Sequence, residues 1–286
     1  MKTVQACPYC GEPESLPAGP DGKFFRCRRC DLIGRTSRRE EILQYYEEHY
    51  FDEHAQDQLS GERSGIYEHI LDRMGPVSGN GRLLDVGCGC GFFLQAAMRR
   101  GWRVAGIDPS AESIRFARSL VGDVVTQATL EGFSSPGRFT AATLINVLDH
   151  FVHPWSEMRR VRDLLEPGGF VFIRVPNGWL HLGLLNWMSL LGAEKLASRW
   201  LVFHEYCLSP AFLRNMLFDL GFHDIQIRNA RMSEASGTNR GAASLILHGL
   251  IYIAAKGASL FTRGRVLLSP SLEITARKRS GPSNHE

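Results

Sequence analysis

A chain of 286 residues is long enough for one large domain, or for one domain with a small appendage. Its 44% hydrophobic content fits a globular protein with a sizeable core, and a formal net charge of +3 is too small to argue by itself for a nucleic-acid partner. Met1 to Gly11 contains no apolar run of the secretory kind, so the expected location is cytoplasmic.

The chain opens with a metal-binding pattern. Cys7 and Cys10 form one C-x-x-C pair and Cys27 and Cys30 a second, with sixteen residues between the pairs. Two such knuckles supply four thiolates to a tetrahedral zinc ion, and the spacing is that of a zinc ribbon. With seven cysteines in all, the usage reads as a reducing compartment and a metal site; free thiols or a disulfide are the alternative. Four thiolates leave no open coordination position, so the zinc is expected to be structural, supplying folding energy that so short a segment cannot obtain from a core. The intervening "PAGPDGK" has the composition of a hairpin tip. This ribbon is expected over residues 1–36. Six arginines from Arg26 to Arg39 could grip nucleic acid, but Glu40, Glu41, Glu47 and Glu48 follow, and a solvated surface is the favoured reading. Residues 37–80 are expected to form a helical connector, with Ile42, Tyr45 and Tyr46 at helical spacing.

Residues 81–286 are expected to form the main domain. Arg82 to Val86 reads as a short buried strand and Phe92 to Arg100 as a helix. Between them lie Gly87, Cys88, Gly89, Cys90 and Gly91. Glycines there let the backbone turn sharply and admit a ligand where a Cβ would intrude. A helix N-terminus beside them can receive a carboxylate or phosphate. A dinucleotide fingerprint would need G-x-G-x-x-G, and its third glycine falls on Phe92 or Leu94, so that reading fails.

The pattern present is D-x-G-x-G-x-G, from Asp85 to Gly91. It resembles the first motif of class I S-adenosylmethionine-dependent methyltransferases. The resemblance continues in order. "WRVAGIDPS" ends a strand in Asp108, twenty-one residues after Gly87. "VVTQATLEGF" is similar to the family's third strand and adenine loop, and "FTAATLINVLDHFVHP" to its fourth strand and exit. "LLEPGGFVFIRVPN" is similar to the turn and fifth strand, with Pro167-Gly168-Gly169 as the tight loop. "SPAFLRNMLFDLGFHDIQI" is similar to the late helix and strand, and "LSPSLEITARK" to a final strand. The implied fold is α/β: a Rossmann-like seven-stranded sheet with the small N-terminal ribbon and helical cap insertions. The implied cofactor is S-adenosylmethionine. Gly87, Cys88, Gly89 and Gly91 would admit its methionine part, Asp85 would serve its ammonium, and Asp108 its ribose hydroxyls, with Pro109 and Asn146 beside them. Thr140 and Asp149 depart from the residues usual at their places. The cysteine-rich head followed by "YYEEHYF" resembles, more loosely, bacterial enzymes that methylate sugars, lipids or secondary metabolites.

Methyl transfer of this kind needs alignment of an acceptor and, where necessary, removal of its proton. His150, after the fourth strand, is the first candidate base for a hydroxyl acceptor, with His153, His204 and Tyr206 in reserve. A structural hydrogen-bonding role is the alternative for each. Two apolar segments, 178–203 and 241–261, are expected to cap an acceptor with a substantial apolar part; an interfacial contact with a membrane surface is the rival. The polar tail from Lys278 to Glu286 is expected to be disordered. The expected function is methylation of a small-molecule acceptor, with oxygen favoured. RNA methylation with the ribbon as grip, and a non-catalytic interaction protein, remain open. RNA is disfavoured because Asn146-Val147-Leu148-Asp149 lacks the Asn/Asp-Pro-Pro-aromatic run of base-amino methylating enzymes.

Overall fold

The structure, a computed structural model, describes residues 6–36, 64–77, 79, 81–192, 205–231, 257, 262 and 267–281. The expected connector helix around Tyr45, the reserve base His204, and nearly all of segment 241–261 lie outside these residues, as does 282–286.

Two sheets organise the described chain. The first is a three-stranded antiparallel ribbon of β1 (Ser15–Ala18), β2 (Phe24–Cys27) and β3 (Ile33–Arg35). The second has seven strands: β4 (Arg82–Val86), β5 (Arg103–Asp108), β6 (Val125–Gln127), β7 (Phe139–Ile145), β8 (Leu165–Pro176), β9 (Phe222–Asn229) and β10 (Ser271–Lys278). Their order is β6-β5-β4-β7-β8-β10-β9, with only β10 running antiparallel to its neighbours. Central strands of such a sheet are covered on both faces and read as continuous apolar runs. β4 accordingly buries Leu84 and Val86 in one layer and Leu83 in the other.

The described residues include six helices: α1 (Ser64–Met74), α2 (Phe92–Arg99), α3 (Ala111–Val121), α4 (Pro154–Leu164), α5 (Gly178–Leu190) and α6 (Pro210–Asp219). Their starts are set locally. Ser110 caps α3 by accepting from the Ser113 amide at 3.2 Å, and Ser209 caps α6 by accepting from Phe212 at 3.0 Å, with Pro210 in its first turn. Ile66, Ile70 and Phe93 of α1 and α2 pack on Ala141 and Phe172, while Met158, Val161, Phe212 and Leu213 of α4 and α6 fill the opposite layer. No helix among the described residues is long and apolar enough to cross a membrane.

Pro167-Gly168-Gly169 makes the expected tight loop as a bulge in β8 between Leu165 and Phe170, where the register against β7 shifts and Gly168 has φ 78°. One expectation is corrected. Lys278 does not begin a disordered tail; it closes β10 and its ammonium donates to the carbonyls of Arg162 and Leu165 at 2.8 Å each.

The strand order reverses between β4 and β7, each leading away in its own direction. In open α/β sheets the carboxyl ends of the strands at such a switch point form the ligand crevice. The loops after β4, β5, β7 and β8 therefore share one rim.

Candidate active site

The loop after β4 is held by its own backbone. The amides of Gly87 and Cys88 both donate to the Ile107 carbonyl, at 2.8 and 3.0 Å, and the Gly91 amide donates to the Cys88 carbonyl. Gly87, Gly89 and Gly91 all have positive φ, at 71°, 50° and 82°. At Gly87 a Cβ would lie 2.5 Å from Val147 Cγ2, so the loop after β7 closes directly on the glycine. α2 starts immediately beyond Gly91, directing its positive end at the same rim.

Two carboxylates frame this cradle. Asp85 is fully buried in β4 and accepts a 2.7 Å hydrogen bond from the Thr143 hydroxyl on β7. Burial pushes its carboxyl up to about 7; the nearby charge of Asp108 adds to the rise and the Thr143 bond opposes it. A carboxylate so placed gains most from a cation brought beside it. Asp108, at the end of β5, accepts from the Gly89 amide and the Ser110 amide, both at 2.9 Å. Burial raises it as well, and these two amides hold the rise back. It thus ties the glycine loop to the second strand as well as facing the crevice; Pro109 beside it is exposed.

Cys88 takes a different place from the glycines. Its side chain is buried among Leu94, Ile114, Ala117, Val121 and Val125 beneath the loop, and burial drives its thiol far up. Gly106, before Asp108, makes room for it: a Cβ there would lie 2.9 Å from Cys88 Sγ. Cys90 is also raised, to about 11, chiefly by burial. Neither thiol has the electropositive, exposed surroundings of a nucleophile.

The exit of β7 is strained. Asn146 has φ 56°, an αL conformation that a non-glycine residue adopts rarely and mostly at constrained sites, and its amide donates to the Arg174 carbonyl at 2.8 Å. A 3₁₀ turn, Leu148–His150, follows. Asp149 points inward and burial raises it to about 7, whereas His150 is half-buried on the rim. The two therefore face different ways. His153 is exposed, 5.5 Å from the Trp155 ring. Tyr206 is buried and its hydroxyl donates to the Val152 carbonyl at 3.1 Å. On the β8 side, Asn177 caps α5 and its side-chain amide donates to the carbonyls of Leu267 and Ser269, both at 3.0 Å. On α5, Trp179 and Trp187 are exposed, while His181 and Leu182 are buried.

The four ribbon cysteines converge. Cys7 and Cys30 sulfurs are 3.6 Å apart, Cys10 and Cys27 3.5 Å, and one sulfur from each of the four residues lies within 4.8 Å of all the others. A tetrahedral zinc ion with Zn–S bonds of about 2.3 Å needs sulfurs roughly 3.8 Å apart, so the donor set and its spacing fit the metal. The hydrogen bond shared with Cys30 draws the Cys7 thiol down to about 5, while the same bond pushes Cys30 up.

Several participants carry no motif. Thr143 and Val147 are ordinary strand and loop residues in sequence; Gly106 has a readable signal, a glycine inside an apolar strand. Arg174 and Glu273, both buried, meet across β8 and β10 at 3.6 Å, with His69 of α1 3.2 Å from the same carboxylate.

The sheet order, the glycine cradle after its first strand and the acid ending its second define a class I S-adenosylmethionine-dependent methyltransferase. Residues 51–227 match the family model described as a methyltransferase domain, and the chain belongs to that family. Among curated proteins it is 35% identical over 138 residues to a ubiquinone biosynthesis O-methyltransferase of Sodalis glossinidius, covering 44% of this chain and 52% of that protein. A protein of the same name from Aeromonas salmonicida is 34% identical over 161 residues, covering 51% of this chain and 64% of that one. The match thus spans between about half and under two thirds of the length of these relatives. Among solved structures, Haemonchus contortus phosphoethanolamine N-methyltransferase 2 shares the fold at a TM-score of 0.54 and 19% identity, covering 82% of this chain and 60% of the other.

Proposed function

We propose that the chain transfers a methyl group from S-adenosylmethionine to a hydroxyl of a small molecule with an apolar part. The observation that carries this is the preformed cradle: a glycine loop closed on Val147, flanked by a buried carboxylate without a lysine or arginine bonded to it among the described residues and by a second acid tied to the loop. Asp85 suits the ammonium of a cationic cofactor, and Asp108 the two hydroxyls of its ribose. The bound cofactor supplies an activated methyl on a sulfonium. The protein's part is then alignment and proton removal: the exits of β7 and β8 hold the acceptor in line, and His150 takes the proton of its hydroxyl. The oxygen preference is supported by the curated relatives, which are named O-methyltransferases. The exposed tryptophans of α5 suit an apolar acceptor or a membrane surface that delivers one. The four cysteines suit a structural zinc ion, which would hold the ribbon's fold.

The test uses methyl-labelled S-adenosylmethionine with an alkyl catechol, a nucleotide sugar and transfer RNA as separate acceptors. Label in a small hydroxyl compound, with His150→Ala lowering turnover at unchanged cofactor affinity and Trp187→Ala raising KM, is the expected result. Label in RNA that disappears in the Arg28→Ala, Arg29→Ala double variant would overturn it in favour of an RNA substrate.

A further inference from the structure

The ribbon is joined to the main domain by a shared strand edge. β3 pairs with β2 on one side; on the other, Gly34 bridges antiparallel to Tyr206. The Cys207 amide donates to the Ile33 carbonyl at 3.0 Å and the Arg35 amide to the Glu205 carbonyl at 3.2 Å. Residues 205–207 are thus a fourth strand edge of the ribbon, contributed from beyond α5. The same segment is fastened to the methyl-transfer rim. The Gly178 amide, at the start of α5, donates to the Leu208 carbonyl at 3.2 Å, and the Tyr206 hydroxyl reaches Val152 in the loop after β7. The Cys207 thiol lies within the electrostatic reach of both Arg35 on the ribbon and Asp149 on the rim.

The packing leaves no slack on either side. A Cβ at Gly34 would lie 2.6 Å from Phe25 Cε1 and 3.1 Å from Tyr206 Cδ1; one at Gly178 would lie 2.2 Å from the Cys207 carbonyl carbon. Apolar contacts continue the joint. Phe24 and Ile33 pack with Leu182 and Cys207, and Tyr9 lies 5.4 Å from Trp155, which lies 6.0 Å from Tyr206. The cysteines flank this edge. Cys27 ends β2, its amide donates to the Leu32 carbonyl at 2.8 Å, and Cys30 sits three residues before β3. The glycine cradle, by contrast, is held by β5 and Asp108 and shares no contact of this set.

We propose that the metal-loaded ribbon is a clamp for the acceptor-side wall of the transfer site. By fixing the register of β3 it fixes residues 205–208, and through them the 148–153 turn that carries Asp149 and His150. Metal occupancy then governs acceptor turnover and leaves cofactor binding alone. The proposal rests on the methyltransferase reading for what the wall does, but the coupling itself is measurable without an acceptor.

The experiment compares the full-length protein loaded with zinc, stripped by a chelator and reloaded with zinc, by hydrogen exchange and by titration with S-adenosylhomocysteine. Stripping is expected to speed exchange by about tenfold or more in 33–35, 205–208 and 148–153, at a free-energy scale where local opening is separable from global unfolding. Exchange in 83–91 and affinity for S-adenosylhomocysteine should be unchanged, and zinc should reverse the effect. Exchange confined to 6–36 overturns the proposal, as does a rise spread equally over 83–91, or a protein that takes up no zinc. Tyr206→Ala provides the second arm. It should keep zinc and S-adenosylhomocysteine affinity yet lower kcat on the alkyl catechol, and Tyr206→Phe, which loses the hydroxyl on Val152 and keeps the ring, should lower it in part; full activity in the alanine variant overturns the clamp. Failure of the methyltransferase reading would appear as absent S-adenosylhomocysteine binding and absent methyl transfer with the exchange coupling intact.

Discussion

Asp85 offers the sharpest test of the cofactor site, because its charge is set by what is bound beside it. In the free protein its carboxyl stands at about 7, raised first by burial. A cofactor ammonium beside it favours the ionised form, so binding below about pH 7 must first remove a proton. Each unit below that point costs about tenfold in affinity, roughly 1.4 kcal/mol. Lowering the pH from 8 to 5.5 should therefore weaken S-adenosylhomocysteine about thirtyfold in the wild-type protein. Below pH 7 the heat of binding should also depend on the buffer's ionisation enthalpy, since a proton leaves with each ligand bound. Asp85→Asn cannot release that proton. It should bind more weakly at pH 8 and vary little with pH from 5.5 to 7. The ligand's own ammonium titrates equally in both proteins, so the difference between the two profiles belongs to Asp85. Parallel profiles would refute the assignment. Stability runs the other way in the free protein. A carboxyl whose folded value is raised contributes stability at low pH and loses it as the pH climbs from its unfolded value, near 4, to about 7. Asp149 is raised to about 7 by burial too and shares that window, which is why binding and not melting must be the readout.

Two further outcomes follow from the geometry. Gly87→Ala should weaken S-adenosylhomocysteine by at least tenfold in a titration while leaving the circular dichroism of the protein unchanged, because its Cβ would meet Val147 at 2.5 Å and the αL backbone adds about 1–2 kcal/mol of strain. Gly101→Ala carries the same kind of strain, at φ 87°, with nothing within 4 Å, and should bind normally; equal loss in both would show that strain and not close approach is responsible. Metal analysis should find one zinc per chain, lost in the Cys27→Ser, Cys30→Ser variant, with affinity for S-adenosylhomocysteine retained. Zinc kept by that variant would place the metal elsewhere.

The glycine loop and the two acids beside it were legible because their determinants are local. A strand, three glycines with positive φ, a helix start and an acid at the next strand end all lie between Arg82 and Ser110, and each leaves its own mark on the sequence. The convergence of the four cysteines was legible for the same reason, since C-x-x-C spacing is a local property. The acceptor side was not. Gly34 and Tyr206 meet across 172 positions of chain, from 34 to 206, and "EYCL" carries no period or motif that announces an edge pairing. Nor could the sequence show that Asp149 turns inward while His150 stays at the rim, because that follows from a single 3₁₀ turn after a strained asparagine. Read alone, the four-cysteine ribbon is an appendage that stabilises only itself. Placed against residues 205–208 it becomes part of a wall, and the difference lies entirely in long-range backbone pairing. The 205–207 edge is held by backbone pairing with β3 and the glycine loop by Ile107 and Asp108, so the two sides meet only where Val147 closes on Gly87 and Thr143 bonds Asp85.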